Sequence, residues 1–412
     1  MNWTSAILTL LALMLVGYII WLCSKPAVSP LVTEEQEKAL TANLPDDIRS
    51  GNSIITLTDF DSMLSAMRAD IDSARSYVHL LFFKYEDDPV SRSLADLLAA
   101  KAAEGVEVRL MYDDAVNKSR YKLYREMESK GIETLSFAPM HIPFLKKSDN
   151  YRNHRKIVVV DGKVAYIGGM NIAERYGKGL KWGCWRDTQI RIEGPAAAAC
   201  ELSFARDWAH AGGTLLSDAR YYPETAPAGD IEVDVVCSGP IGEGPVIRER
   251  ICDMLDRSKT RFWIESPYLI PGKEMMRSLC TAARRGVDVR VILPPRGDHG
   301  VLTPLATKAH IADVIDAGVK VAFYRKGYMH SKTAVCDGSL VTVGSTNIDV
   351  RSYVLDLEIN VFIDNAAYAK DMEDIFLADE AQSDYIDKNQ WASRSIFEKA
   401  GEAIAKIFSF QL

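Results

Sequence analysis

A polar motif that occurs twice constrains the fold of this chain more than any other feature. Residues 150–171 place His154, Lys156 and Asp161 in the spacing His-x-Lys-x4-Asp, with two glycines and Asn171 behind them. The second half of the chain repeats the pattern as His330, Lys332, Asp337, Gly344, Ser345 and Asn347. A motif repeated in register indicates an internal duplication. It predicts one site built from two copies.

The predicted secondary structure repeats as well. Apolar periodicity and the glycines that end helices predict the elements of the first half. These are helices at 59–74, 91–103 and 121–129 and strands at 77–83 and 106–112. In the second half the same signals predict helices at 246–257, 274–284 and 306–317 and strands at 261–265, 287–293 and 319–324. Strands that alternate with helices in this way are typical of an α/β fold.

The two ends of the chain differ from these halves. Trp3–Cys23 is uncharged and apolar, a length that crosses a bilayer as one helix of about 20 residues. A cleaved signal peptide is the alternative, but no Lys or Arg precedes the apolar run. The boundaries that we predict are an anchor at 1–25, a linker at 26–50, a first lobe at 51–216, a second linker at 217–230, a second lobe at 231–385 and a C-terminal amphipathic helix at 390–412.

That C-terminal helix has an apolar stripe with two interpretations. The stripe consists of Ile396, Phe397, Ala400, Ile404, Ile407 and Phe408, and lysines lie elsewhere on the helix. One interpretation packs the stripe on a sheet. The other places the helix on a membrane surface. The sequence favours the first only slightly.

Charge and cysteine content narrow the function. The formal net charge is −7, which argues against a general nucleic-acid binder, since such proteins usually carry a basic face. Seven cysteines are scattered without a Cys-x-x-Cys pair or zinc spacing, which is typical of free thiols in a reducing compartment.

The duplicated motif suits chemistry on a phosphodiester. Residues i and i+2 of a strand point to the same face, so each histidine should project beside its lysine. The lysine neutralises phosphate oxygens, and the histidine attacks phosphorus or protonates the leaving oxygen. Asn171, Ser345 and Asn347 are further candidate donors to those oxygens. With one histidine as nucleophile and the other as acid, the reaction needs no metal and no cofactor.

A histidine nucleophile also needs an acceptor that orients its second nitrogen. Asp187 follows His154, and Glu358 follows His330, in fragments that match between the halves. We propose these two carboxylates for that role. Asp161 and Asp337, which complete the two candidate catalytic motifs, are the alternative. An Asp at a strand–turn boundary more often caps a turn, so the turn role is favoured for this pair.

Both motifs resemble the His-Lys-Asp motif of the phospholipase D superfamily, and the surrounding blocks resemble bacterial cardiolipin synthases. The resemblance covers about residues 77–364 and rests on Asn153-His-Arg-Lys-Ile, Gly168-Gly-Met-Asn, Trp185-Arg-Asp-Thr, Ser266-Pro-Tyr-Leu-Ile-Pro, Gly327-Tyr-Met-His-Ser-Lys and Gly344-Ser-Thr-Asn-Ile-Asp. It implies two homologous lobes of mixed sheets flanked by helices, packed with pseudo-two-fold symmetry around one site. It also implies a phosphatidyl-histidine intermediate, with His154 as nucleophile and His330 as general acid.

The resemblance implies a phosphatidyltransferase that makes cardiolipin from two phosphatidylglycerol molecules and releases glycerol. Its expected partners are phospholipids and a bacterial inner membrane. Lys25, the first charge, weakly favours a cytoplasmic catalytic domain. Typical bacterial members carry two membrane helices, whereas one is found here. A phospholipase D that transfers to water would keep every residue named above. A nuclease of the same superfamily is the less favoured rival.

Overall fold

Two sheets, one from each half of the chain, form the framework of the protein. The structure is a computed structural model that describes residues 17, 30–117, 121–139, 150–297, 300–407 and 409. The predicted anchor, Trp3–Cys23, lies outside these residues apart from Gly17. Within the described ranges, no helix has the length and apolar character to cross a membrane.

The strands of the first half are β1 (Ser53–Leu57), β2 (Tyr77–Phe82), β3 (Glu107–Asp113), β4 (Glu133–Phe137), β5 (Arg152–Asn153), β6 (Ile157–Val160), β7 (Val164–Gly168), β8 (Cys184–Arg186) and β9 (Gln189–Glu193). Those of the second half are β10 (Asp234–Ser238), β11 (Arg261–Glu265), β12 (Asp288–Leu293), β13 (Lys320–Tyr324), β14 (Gly327–Met329), β15 (Thr333–Cys336), β16 (Leu340–Gly344), β17 (Asp356–Asp364) and β18 (Ser383–Tyr385).

The α-helices within the described residues are α1 (Glu34–Thr41), α2 (Phe60–Ser73), α3 (Pro89–Ala103), α4 (Asp114–Asn117), α5 (Tyr121–Ser129), α6 (Glu174–Lys178), α7 (Ala196–His210), α8 (Val246–Arg257), α9 (Gly272–Arg284), α10 (Leu302–Asp316), α11 (Val350–Val354), α12 (Ala366–Glu380), α13 (Lys388–Ala392) and α14 (Ile396–Ile407). Side-chain caps start several of them, as where Asp59 accepts from the backbone N–H of Ser62 at 2.8 Å.

The internal duplication is visible in the strand order. The first sheet runs β1-β9-β7-β6-β2-β3-β4, and the second runs β10-β17-β16-β15-β11-β12-β13, with β18 at its edge. In each sheet three strands are parallel, β2-β3-β4 and β11-β12-β13. The remaining pairs along each order are antiparallel. The predicted mixed α/β architecture is therefore confirmed.

The two sheets share one apolar core. A single buried cluster contains Val159, Ile167 and Ile190 of the first sheet together with Val341, Val343 and Val361 of the second. Separate clusters lie on the outer faces, under α2 and α3 in the first half and under α8, α9 and α10 in the second. Since β2 and β6 are buried on both faces, their mainly apolar sequences are expected.

The lobes also exchange short strands. β5, which precedes the first motif, pairs in parallel with β17 of the second lobe, with Arg152 opposite Asp356. β14, which precedes the second motif, pairs in parallel with β8 of the first lobe, with Met329 opposite Arg186. Each motif is therefore attached at its entry to the opposite lobe.

The segments that we predicted as linkers pack against the lobes. In the first, Leu31 and Leu40 are buried, and Glu37 pairs with Arg206 of α7. In the second, Tyr221 and Tyr222 are buried, and the Tyr77 hydroxyl donates to the carbonyl of Tyr221 at 2.8 Å. The six described cysteines are free thiols, of which Cys184 alone is exposed.

The C-terminal helix α14 packs on helix α10, not on a sheet. Ala405 of α14 is buried against Ala306 of α10 and Ile270. The predicted apolar stripe points outward, and Phe397 is 86% exposed. The interpretation that packed this stripe on a sheet was therefore wrong.

Candidate active site

The two histidine–lysine pairs lie in extended segments between short strands. His154 and Lys156 connect β5 to β6, and His330 and Lys332 connect β14 to β15. The four side chains are almost completely buried. The pairs precede the strands on which the sequence placed them, but the extended chain keeps each histidine on the same side as its lysine. Arg155, between the first pair, points elsewhere and donates to Asp207 at 2.8 Å.

Each histidine is oriented by a carboxylate of the opposite lobe. His154 Nδ1 lies 2.9 Å from Glu358 Oε1, and His330 Nδ1 lies 2.5 Å from Asp187 Oδ2. The sequence spacing associated each carboxylate with the histidine of its own half, and this pairing was wrong. With Nδ1–H donated to the carboxylate, Nε2 is the nitrogen left for chemistry.

The strand exchange explains why the carboxylates cross over. The backbone N–H of His154 donates to the carbonyl of Leu357 at 2.9 Å, and that of His330 donates to the carbonyl of Arg186 at 2.7 Å. Leu357 and Arg186 each immediately precede an orienting carboxylate, in Glu358 and Asp187. The same parallel pairing therefore sets both the histidine backbone and the position of its acceptor.

The lysines are held beside the histidines. Lys156 Nζ donates to the carbonyl oxygen of His154, and Lys332 Nζ donates to that of His330. Burial lowers the pKa of Lys156 to about 7, and the charge on Lys332 contributes to this shift. Two ammonium groups that destabilise each other in a buried site favour an anion between them.

The electrostatics of the two histidines differ. Burial, then Lys156 and Lys332, hold the pKa of His154 well below its ordinary value, so this imidazole is neutral. Burial raises the pKa of its partner Glu358 to about 7. Burial also acts to raise the pKa of Asp187, but Lys332 and His330 outweigh it, and the net pKa is lowered. His330 therefore faces an ionised carboxylate through Nδ1, and Lys332 Nζ lies 3.0 Å from the same nitrogen.

The residues after each motif support the carboxylates. A Cβ on Gly169 would lie 2.1 Å from Asp187 Oδ1, so only glycine at this position leaves room for the carboxylate. At the matching position Ser345 donates its hydroxyl to Glu358 Oε2 and accepts from the backbone N–H of Ile359 at 3.0 Å. Ser345, predicted to bind substrate, thus contacts the orienting carboxylate instead.

The two predicted asparagines have different surroundings. Asn171 Oδ1 accepts from the backbone N–H of Lys84 at 3.0 Å, which fixes the loop after β2. Asn347 Oδ1 is buried and has no hydrogen-bond partner among the described residues. An amide oxygen accepts hydrogen bonds, so this atom suits a substrate hydroxyl rather than a phosphate oxygen.

Asp161 and Asp337 lie away from the chemistry. Each sits at a positive φ, 51° and 50°, in the turn after β6 or β15. At about 3.3 Å per residue, Asp161 is roughly 16 Å along the strand from Lys156. Its carboxylate accepts three backbone N–H bonds, from Arg75, Ser76 and Tyr77. Asp337 makes the matching three bonds at the start of β11. Their inclusion among the catalytic residues is corrected here to a structural role.

Aromatic rings around the histidines are the main site residues that sequence reasoning missed. Phe83 makes an edge contact with His154 at 4.8 Å between ring centroids, and Trp185 lies 4.9 Å from His330. Tyr328 stacks on His330 at 5.7 Å. Position next to a motif was the only sequence signal for Trp185 and Tyr328. These rings shield the imidazoles from water.

Comparisons with known proteins identify the family of the chain. The family model described as "Cardiolipin synthase, PLD-like domain" matches residues 67–208 and 251–380. A cardiolipin synthase of Staphylococcus aureus (strain Mu50) is 36% identical over 380 residues, covering 91% of this chain and 77% of that protein. A cardiolipin synthase of Listeria innocua is 35% identical over 362 residues, covering 87% of this chain and 75% of its own length.

Two solved structures share the fold. The phosphatidylserine synthase of Haemophilus influenzae superposes with a TM-score of 0.68 at 13% identity, covering 92% of this chain and all of that one (100%). A polyphosphate kinase of Porphyromonas gingivalis gives a TM-score of 0.55 at 13% identity, covering 93% of this chain and 56% of its own. At such identity they establish the fold alone. The family match and the curated relatives establish more: the chain belongs to the cardiolipin synthase family with phospholipase D-like domains.

Proposed function

We propose that this protein transfers a phosphatidyl group from one phosphatidylglycerol to the glycerol hydroxyl of another, forming cardiolipin and releasing glycerol. The observation that carries the proposal is the pair of histidines held by carboxylates of opposite lobes, at 2.9 Å and 2.5 Å, beside two buried lysines. This arrangement offers a nucleophile, an acid and a place for one phosphodiester anion. The family relationship supplies the substrate class.

In the first step His154 is the nucleophile. Its imidazole is neutral because burial and the two lysines lower its pKa, and Glu358 holds Nδ1 so that Nε2 faces the substrate. Nε2 forms a bond to phosphorus, and the bond from phosphorus to the glycerol oxygen breaks. His330, protonated beside the ionised Asp187, gives its proton to that oxygen. Lys156 and Lys332 neutralise the phosphate oxygens as charge builds.

In the second step the roles reverse. His330, now neutral, takes the proton from the glycerol hydroxyl of a second phosphatidylglycerol. The hydroxyl oxygen forms its bond to phosphorus, and the phosphorus–nitrogen bond to His154 breaks. The products are cardiolipin and the starting enzyme. Shielding of the imidazoles by Phe83 and Trp185 favours an alcohol acceptor over water.

We also propose the membrane setting as part of this function. Trp3–Cys23 would anchor the protein by a single pass in the bacterial inner membrane, with the catalytic lobes on the cytoplasmic side. Phospholipids are the proposed partners, and nucleic acid is not one. A cysteine placed near Lys25 and probed with a membrane-impermeant thiol reagent on spheroplasts and on inverted vesicles would test the orientation.

The test of transfer uses the purified full-length protein in phosphatidylglycerol vesicles. Accumulation of cardiolipin and glycerol is the expected result, whereas phosphatidic acid without cardiolipin would indicate hydrolysis. Acid-quenched protein should carry a phosphatidyl adduct on the peptide that contains His154. His154→Ala and His330→Ala should each abolish transfer with an unchanged unfolding temperature. Full activity in either variant, or an adduct confined to His330, would contradict the mechanism.

A further inference from the structure

Helix α14 presents its apolar side to solvent. Ile396, Phe397, Ile404 and Ile407 are 76%, 86%, 59% and 68% exposed. At 100° per residue these four side chains share one stripe along the helix. Glu402 and Ala405, on the opposite side, are the buried ones. This is the opposite of the usual orientation, in which an amphipathic helix buries its apolar face against the protein.

The outward orientation is fixed by contacts on the other side of the helix. Ala405 packs against Ala306 of α10 and against Ile270. Lys406 Nζ donates to Asp313 Oδ2 of α10 at 2.8 Å. Arg394, just before the helix, pairs with Glu402. The stripe is exposed because the polar and small residues, rather than the apolar ones, attach α14 to the second lobe.

The base of the helix is connected to the candidate active site through the second lobe. Ile270, which packs under α14, follows closely on Tyr268. The hydroxyls of Tyr268 and Tyr328 lie 3.4 Å apart, and Tyr328 stacks on His330. A short chain of contacts therefore connects the base of α14 to the general-acid histidine.

We infer that α14 is an interfacial helix that lies in the surface of a phospholipid bilayer and holds the second lobe, with its part of the active site, against that surface. The inference rests on the proposed function for the position of the site. The occupant is a bilayer rather than a second copy of the chain, because four side chains of roughly 100 Å² each bury well under the ~800 Å² per partner of a stable dimer. The last residues, Phe408, Phe410 and Leu412, continue the apolar composition to the chain end.

The test measures insertion without using turnover. Full-length Phe397→Trp and Lys399→Trp are reconstituted in phosphatidylglycerol–phosphatidylcholine vesicles with and without bromine on the upper acyl chains. Lys399 is the matched control, two positions along the chain but on the polar flank of the helix. The emission of each added tryptophan is obtained by difference from the wild-type protein. Tryptophan at position 397 should be blue-shifted and lose most of its emission to brominated lipid, and tryptophan at 399 should lose little.

Three results would overturn the inference. These are an unquenched tryptophan at 397, equal quenching at 397 and 399, or a blue shift at 397 that needs no lipid and grows with protein concentration. The last result would assign the stripe to a second copy. Cardiolipin formation is measured in the same vesicles. Insertion of α14 without any lipid turnover would contradict the proposed function and support the interfacial helix. Lipid turnover without insertion would support the proposed function and contradict the interfacial helix.

Discussion

Replacing Asp187 by Asn should damage the enzyme far more than replacing Glu358 by Gln. Asp187 accepts two hydrogen bonds on different oxygens: Oδ1 from the backbone N–H of Thr188 at 2.8 Å and Oδ2 from His330 Nδ1 at 2.5 Å. An asparagine has only one acceptor oxygen. Because the Thr188 N–H is fixed in the backbone, the amide nitrogen of Asp187→Asn would face His330 and oppose its Nδ1–H.

The expected fall in kcat/KM for Asp187→Asn follows from the hydrogen bond that the substitution removes. A hydrogen bond to a buried charged group contributes about 1.5–3 kcal/mol, and a buried donor left without an acceptor costs about 1–3 kcal/mol. Together they amount to about 2.5–6 kcal/mol in the step where His330 is proposed to act as an acid. At about 1.4 kcal/mol per factor of ten, kcat/KM should fall roughly 10²–10⁴-fold.

Glu358→Gln is the matched control, because its site can accept an amide. Glu358 Oε1 accepts from His154, and its second oxygen accepts from the Ser345 hydroxyl. In the variant the amide oxygen can face His154, while the amide nitrogen donates to Ser345, whose hydroxyl can turn to accept. Glu358 also has a pKa of about 7, so near neutral pH much of its charge is already absent. The expected loss is about 1 kcal/mol, or roughly fivefold.

The assay is single-turnover transfer from labelled phosphatidylglycerol in vesicles, with thermal unfolding of each variant as the check on folding. A ratio of kcat/KM between Glu358→Gln and Asp187→Asn above about 20 agrees with the argument. Equal losses, or a larger loss in Glu358→Gln, would refute the claim that the two carboxylates support different roles.

Three further predictions concern the supporting residues. Gly169→Ala should reduce transfer as strongly as Asp187→Asn, since the added Cβ would lie 2.1 Å from Asp187 Oδ1; wild-type kinetics would contradict this contact. Lys156 has a pKa of about 7 and is charged below it, so kcat/KM should fall above about pH 7. The bound anion keeps Lys156 charged, so kcat should hold to higher pH. A kcat/KM profile that is flat across pH 7 would contradict this role of Lys156. Asp337→Asn should cost about 1–3 kcal/mol of stability in urea titrations with kcat unchanged. Backbone N–H bonds lower the folded-state pKa of Asp337 despite burial, so its contribution is present above pH 3.8 and the difference from wild type should shrink as pH falls below that value.

The repeat predicted the mixed α/β architecture, and the family resemblance added the expectation of two lobes. Two sets of apolar runs in the same order, each helix ended by a glycine, can form two similar units. The seven strands of the first sheet and seven strands of the second do follow one order. The turn role of Asp161 and Asp337 could also be predicted from sequence, because an Asp at a strand end tolerates a positive φ and accepts backbone N–H bonds. Local chemistry determines both features, so sequence alone reveals them.

The exchange between lobes could not be predicted in this way. Periodicity tells which residues form a strand, but a two- or three-residue strand such as β5 or β14 carries no signal for its partner. Pairing of Glu358 with His154 depends on that partner choice. The exposure of the apolar stripe of α14 could not be predicted either, since amphipathic spacing defines an apolar face but not what covers it.

The two matching halves differ at two positions beside their histidines. Glu358 is one methylene longer than Asp187, and its buried carboxylate is supported by the side chain of Ser345, whereas Asp187 occupies the space that Gly169 leaves open. The longer acid keeps a pKa of about 7 beside a neutral His154, while the shorter one stays ionised beside His330. A nucleophile needs a neutral imidazole and an acid needs a protonated one. The exchange of strands then matters twice, because each lobe supplies the carboxylate that orients the histidine of the other lobe. Under the proposed mechanism, neither half would act alone.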